Sequence, residues 1–335
     1  MKQNFVTDEK IKSYKDKTGN EYDIRSKIQA FRDLKKLNNN ATIPIFPSEW
    51  INGDKKDIFP FAGKSNSQTL DCNENGYYST FQSDRFGFNN IDDNWEKNKI
   101  EYILIGDSFV FGQCVNQENI ISSKLKLLTE NDNGVLNLGY PSTSILIQYA
   151  TLKEYFPKKK VKNILYFFQE ANDLKGLSTE LSDEILIKYI KQPNFRQELI
   201  KKQNEINKLV EKKIMDAYQN KKEEEEDHLN LIKFIKLTNF RELYINNYYQ
   251  PNIKEFTTTL KLLKKFSEEK NSKLYFIYAP EYYRYIGINS EKLYDREKII
   301  KIVKSLDISL IDLNQSVNEK ILNPLELFPF GKFGH

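Results

Sequence analysis

Four short segments of this chain hold the residue types that acyl transfer requires. Gly106-Asp107-Ser108 offers a hydroxyl, Asn137-Leu138-Gly139 a glycine behind a short apolar run, Asn172-Asp173 a carboxamide, and His335 an imidazole. A serine hydroxyl is a poor nucleophile until a neighbouring imidazole accepts its proton, which makes Ser108 and His335 the candidate catalytic pair. The tetrahedral intermediate of acyl transfer puts negative charge on oxygen, and fixed N–H donors aimed there lower the barrier. Ser108 offers a backbone N–H for that oxyanion hole. Gly139 offers a second, since a residue without a side chain lets substrate come close, and the Asn172 amide offers a third. Asp107 and Asp173 are read as supporting residues that tie down their loops through local hydrogen bonds.

Taken singly, each of these residues has a plainer reading. Ser108 fits a helix N-cap after a strand, and Asn172 fits a turn. His228 directly follows the charge run Lys221–Asp227 (KKEEEED), which reads as a solvated helix or loop. Cys114 follows Ser108 too late to be the nucleophile itself; it reads as a small buried residue, or as a partner of Cys72 in an oxidising compartment. Two cysteines cannot build a zinc cluster or a disulfide framework. The chain has no G-x-x-x-x-G-K-[ST] loop, no G-x-S-x-G elbow and no H-E-x-x-H, so no metal and no nucleotide cofactor is implied.

The elements that must position these residues alternate between strand and helix. Ile100–Gly106, Gly134–Gly139, Asn163–Gln169, Lys273–Ala279 and Asp307–Leu313 are short apolar runs, rich in β-branched and aromatic residues. Residues 115–129, Ser144–Phe156 and a segment near 291–305 read as helices between them. This pattern predicts an α/β domain whose parallel sheet is covered on both faces. In such sheets ligands sit outside the carboxyl ends of the strands, where the first three segments fall. Residues 176–250 break the rhythm. Ile206, Leu209, Val210, Ile214 and Tyr218 recur at helical spacing, which predicts a helical insertion or lid. Before the sheet, residues 1–98 read as an N-terminal extension, with a helix over 22–37 and an extended stretch at Ile43–Trp50, where prolines oppose helix. Phe61–Asn89 reads as irregular strand and loop packed beside the sheet. The α/β domain is thus split into 99–175 and 251–335.

Composition bounds what this assembly can do. The 51 basic and 47 acidic residues are intermixed, which lacks the concentrated basic footprint of a nucleic-acid binder. No run reaches the roughly 18 apolar residues of a membrane span, and the first residues have no apolar core like that of a signal peptide. The default expectation is therefore a cytoplasmic address, with a periplasmic or surface role also open. The oligomeric state is not legible.

At these segments the chain resembles the SGNH (GDSL-type) hydrolases. GDSFVFG (106–112) is similar to their nucleophile block, NLGYPSTS (137–144) to their glycine block, EAND (170–173) to their third block and FPFGKFGH (328–335) to their histidine block. SDRFGFNN (83–90) also resembles a segment upstream of the nucleophile in some bacterial members. The resemblance spans about 99–175 and 273–335. It implies a flavodoxin-like three-layer α/β/α sandwich and an esterase or deacylase using Ser108, Gly139, Asn172 and His335 on a small-molecule or glycan ester. An O-acyltransferase using the same serine, or a catalytically degenerate binding protein, are the alternatives. Two positions depart from the family. Lys332 stands where an aspartate usually precedes the histidine, and Glu170 where glycine is usual, with Asp312 or Glu326 as nearby substitutes for the acid. Because an orienting carboxylate fixes the imidazole, Lys332→Asp is expected to raise the turnover of p-nitrophenyl acetate. An unchanged rate would remove the missing acid as the explanation for any weak activity.

Overall fold

The computed structural model describes residues 8–51, 57–129, 133–170, 172–224, 252–286 and 296–331. Two short strands, β1 (Gln68–Leu70) and β2 (Thr80–Gln82), pair antiparallel as a ribbon within the otherwise irregular 57–98 stretch. The five apolar runs then form β3 (Lys99–Ile105), β4 (Asn133–Asn137), β5 (Lys160–Gln169), β6 (Lys273–Ala279) and β7 (Ser309–Asp312). All their pairings are parallel, in the order β4-β3-β5-β6-β7. The chain enters this sheet one strand in from the edge, steps out to β4, then crosses back over β3 to build the other side.

Residues of one strand alternate between two separate cores, which is why these runs are apolar almost without interruption. On one face Ile103, Ile105, Ile164, Tyr166, Phe168, Phe276 and Tyr278 pack under the helices Ile145–Tyr155, Ile253–Glu269 and Arg296–Ser305. On the other, Leu104, Val135, Leu165, Phe167 and Ile277 pack against Val110 and the helix Ile121–Leu127. The result is a three-layer α/β/α arrangement. Aromatic rings lock the larger core laterally. Tyr166 meets Phe276 edge-on at 5.2 Å, and Phe168 stacks on Phe276 at 5.4 Å, contacts that contribute beyond simple area burial.

Helix Ile145–Tyr155 is buried along its whole length and serves as the anchor for what precedes and interrupts the sheet. Glu154 accepts hydrogen bonds from the Tyr189 hydroxyl (2.6 Å) and from the N–H groups of Gln197 (2.6 Å) and Leu199 (3.0 Å). Gln197 in turn accepts from the Phe59 N–H (2.6 Å) and donates to the Phe59 carbonyl (3.3 Å). The Lys153 ammonium lies over the rings of Tyr149 and Tyr189 and donates to the Pro193 carbonyl. The described part of 176–250 comprises helices Glu184–Lys191 and Gln203–Glu224, and Leu186, Tyr189, Leu199, Ile206 and Val210 belong to the main core. Their apolar stripe faces the body of the protein, and their charges face solvent. Phe59, Phe61, Phe81, Phe88 and Trp95 join the same core from the N-terminal side.

Local chemistry shifts several expected boundaries. The helix foreseen over 22–37 runs Lys27–Leu37, because Ser26 and Gln29 form a reciprocal capping box that fixes its start. The stretch foreseen as extended to Trp50 turns into a single 3-10 turn at Pro47–Trp50. Proline opposes helix only in the interior and is favoured at the first position. The segment foreseen as one helix over 115–129 is a 3-10 turn followed by the short helix Ile121–Leu127. Helix Asp8–Thr18 was not foreseen.

Three donors depend on one buried carboxylate at Glu154, and each buried donor left without a partner costs about 1–3 kcal/mol. Glu154→Ala should therefore destabilise the chain by on the order of 3 kcal/mol or more in urea unfolding. A loss below about 1 kcal/mol would mean that residues 189–199 find other partners without it.

Candidate active site

The turn that carries Ser108 is set down on the carboxyl end of β3 by two glycines. A Cβ at Gly106 would lie 2.5 Å from a Val110 methyl, and one at Gly139 would lie 2.6 Å from the Val110 side chain. Val110 thus fits between the ends of β3 and β4 only because both neighbours lack side chains. This draws the one-turn helix Ser108–Phe111 onto the sheet edge. Asp107 caps that helix, accepting the Phe109 N–H at 3.1 Å. Ser108 itself is 5% exposed.

Adjacency of β3 and β5 brings the third segment to the first. The Asn172 carboxamide donates to the second oxygen of Asp107 at 2.8 Å. One carboxylate therefore fixes both the start of the Ser108 turn and the orientation of Asn172. The next residue, Asp173, is fully buried and accepts from the Gln169 N–H (2.6 Å) and the Gln148 amide (2.9 Å). Burial, and secondly the charge of Asp107, push its carboxyl well above the usual range. These contacts gather at the place where the chain reverses its direction across the sheet, between β3 and β5. Crevices in open α/β sheets form at such points.

The second segment is held from outside the sheet. Asn90 exchanges a pair of hydrogen bonds with the backbone of Asn137, accepting its N–H (2.7 Å) and donating to its carbonyl (2.8 Å). A side chain here does what a neighbouring strand would do for the edge strand β4. Asn90 is itself held by Asp84, which also accepts from the Phe86 and Phe88 N–H groups (2.9 Å each) and the Trp95 indole (2.7 Å). Burial pushes the Asp84 carboxyl up to about 6. The SDRFGFNN segment is thus the outer support of the glycine segment. Gly139 is placed beside the Ser108 turn, but its N–H donates to Asn137 Oδ1 at 2.9 Å. The close approach its missing side chain permits is that of Val110 and Phe111.

His335, Lys332 and His228 fall outside the described residues. Asp312 is committed to an ion pair with Arg296 and to capping the helix Leu313–Lys320 through the N–H groups of Asn314 and Gln315. Glu326 is exposed. Glu170, where the related pattern has glycine, is fully buried at the end of β5. It binds Arg284 through both oxygens (3.0 and 2.6 Å), accepts the Glu281 N–H (2.7 Å) and takes the Tyr278 hydroxyl. This cluster ties the turn after β6 to the site, and only a charged residue closing an apolar strand hinted at it. Among the described residues, one group of cysteine and acid side chains is compact enough for a metal, namely Asp71, Cys72 and Cys114. Its two sulfurs are bonded to each other. Among the described residues no helix is long and apolar enough to cross a membrane.

No family model matches the chain, and no curated protein matches it. Among solved structures, one likeness is to a protein from Desulfitobacterium hafniense DCB-2 assigned to the lipolytic G-D-S-L family. It is 16% identical over 64% of this chain and 77% of that chain, with a TM-score of 0.31. Another is to a mutant of the esterase AlinE4, 8% identical over 71% of this chain and 85% of that chain, with a TM-score of 0.35.

Behind the glycine segment, Glu180 receives the Ser144 N–H and those of Leu146 (3.1 Å) and Ile147 (3.2 Å) at the start of helix Ile145–Tyr155. Burial outweighs these donors and pushes its carboxyl up to about 7, whereas an unfolded glutamate titrates near ~4.3. The folded state keeps a proton that the unfolded state has already lost across this window. The stability it contributes is therefore complete below ~4.3 and is lost as pH rises through about 7. Glu180→Gln cannot ionise, so its melting temperature should fall less between about pH 5 and about pH 8 than the wild type's, by a few degrees. Parallel melting curves across that range would show that Glu180 titrates alike in both states.

Proposed function

We propose that the chain is a serine hydrolase of the SGNH type that cleaves an ester, with an O-acylated glycan or a small ester as the substrate class. The observation that carries this reading is the Asn172–Asp107 hydrogen bond, which joins the carboxamide of one segment to the residue next to Ser108. In this mechanism His335 takes the Ser108 proton as the hydroxyl oxygen attacks the ester carbonyl. The negative charge then forming on the carbonyl oxygen is met by the Ser108 N–H and the Asn172 amide. Gly139 adds a third donor when Asn137 releases its N–H. His335 then returns the proton to the leaving alcohol, and water repeats the sequence on the acyl-serine. Asp107 and Asp173 act as supports. The strand order β4-β3-β5-β6-β7 supports a flavodoxin-like reading of the sandwich.

A second reading is a binding protein on the same scaffold, and the bond from Gly139 to Asn137 favours it. The Cys72–Cys114 bond supports work in an oxidising compartment in place of a cytoplasmic one. Recovery of both thiols free from the cell of origin would reverse that assignment.

Ser108→Ala and His335→Ala should each remove most p-nitrophenyl acetate turnover and all fluorophosphonate labelling at Ser108. The double variant should be little worse than either single one, because residues acting as one unit are strongly non-additive. If folded Ser108→Ala keeps wild-type rates on every ester tried, the hydrolase reading fails and the binding reading replaces it.

A further inference from the structure

The carbonyl oxygen of Ser108 accepts two backbone hydrogen bonds, from the N–H groups of Gly112 (3.1 Å) and Gln113 (3.0 Å). The exit of the turn is therefore bonded to the peptide of the serine itself. The next residue, Cys114, is 1% exposed and has φ 60°, a left-handed conformation that residues with side chains seldom hold unsupported. Three bonds tie it to 71–75, beside the local bond from the Val115 N–H to the Gly112 carbonyl (3.1 Å). Cys114 is disulfide-bonded to Cys72, its N–H donates to Asp71 Oδ2 at 2.7 Å, and its carbonyl accepts from the Asn75 amide at 3.3 Å. That segment is fixed in its own right. The Asp71 N–H donates to the Ser79 carbonyl (2.9 Å), the Ser79 N–H donates to the Cys72 carbonyl (3.0 Å), and the Asn73 amide donates to the Asp23 carbonyl (2.8 Å). A continuous path of covalent and hydrogen bonds runs from the β1–β2 ribbon to Ser108.

We propose that the Cys72–Cys114 disulfide, together with Asp71, is a positioning element for the candidate nucleophile. It holds residues 112–114 in the conformation that keeps the two bonds to the Ser108 carbonyl, and so fixes the direction of the Ser108 hydroxyl and N–H. The catalytic part of this inference rests on the serine-hydrolase reading. When the cross-link opens, the left-handed Cys114 loses its main restraint, and relaxation there pulls Gly112 and Gln113 away from Ser108. Displacements of about 1 Å at a reacting group are enough to slow chemistry strongly. A general staple would act differently, because it would loosen the whole chain and not this turn.

Amide hydrogen exchange of the full chain, oxidised and after phosphine reduction, separates these cases, with Asp71→Ala as a variant that leaves the disulfide intact. Peptides spanning 108–115 should exchange at least about tenfold faster after reduction and severalfold faster in Asp71→Ala, while peptides from β3 and β5 keep their rates. Fluorophosphonate labelling of Ser108 should slow by about fivefold or more in both, with KM for p-nitrophenyl acetate held within about twofold. Unchanged exchange over 108–115 overturns the proposal, and so does uniform acceleration across the sheet. Unchanged labelling despite faster local exchange overturns its catalytic part. If the oxidised chain is not labelled at all, the hydrolase reading fails on that result, and the exchange data alone decide whether the disulfide holds the turn.

Discussion

The hydrogen bond between the Asn172 carboxamide and the Asp107 carboxylate is the contact on which the arrangement of the site depends. Its acceptor is a carboxylate, which makes it stronger and more directional than a bond between neutral groups. It forms only because β3 and β5 are neighbours in parallel register, with Ile105 opposite Tyr166. The other oxygen of Asp107 caps the helix that begins at Ser108. Any slip of β5 against β3 would thus disturb the serine turn and the carboxamide together. Asp173 reinforces this from below: by accepting the Gln169 N–H, it holds the last residue of β5 at the point where the chain leaves the sheet.

Buried carboxylates also fix two segments of the chain outside this contact. Glu170 with Arg284, and Glu154 with its three donors, are sites where a buried carboxylate is met by several hydrogen-bond donors. Such clusters are weak sources of net stability, but breaking one partner away is expensive. They therefore select one geometry among several that an apolar core would tolerate. Glu170 selects the position of the Glu281–Arg284 turn after β6. Glu154 selects how residues 189–199 lie across helix Ile145–Tyr155.

The strands were legible because both faces of each are covered, so that runs such as NILYFFQ in β5 carry an unbroken apolar signal. The turns after them were legible because glycine and small polar residues interrupt those runs at once. What the sequence left hidden depends on partners distant along the chain. Glu154 looks like any helical glutamate until Tyr189, Gln197 and Leu199 are folded against it. Asn90 gives no local sign that it completes the edge of β4. Cys72 and Cys114 stand 42 residues apart, so the sequence offers their pairing only as one of two readings. Gly139 is the instructive case. The sequence points to a residue without a side chain so that substrate can approach; the neighbour that takes this space is Val110, a contact that no spacing rule reveals.

That same contact bears on how many donors an oxyanion would meet on the hydrolase reading. Freeing the Gly139 N–H requires the Asn137 carboxamide to turn, and its amide also donates to the Val110 carbonyl at 2.7 Å. Turning it forfeits both bonds, each worth about 1 kcal/mol net and more if a buried group is left without a partner. One oxyanion donor is worth roughly 3–4 kcal/mol to the transition state. The two quantities are close enough that Asn137 has no reason to move for a neutral ground-state ester, whose carbonyl carries little charge. On that reading, only the full negative charge of the tetrahedral intermediate would draw the Gly139 N–H away. A donor recruited in this way would contribute to kcat and leave substrate affinity nearly untouched, since interactions made only in the transition state raise the rate without tightening binding.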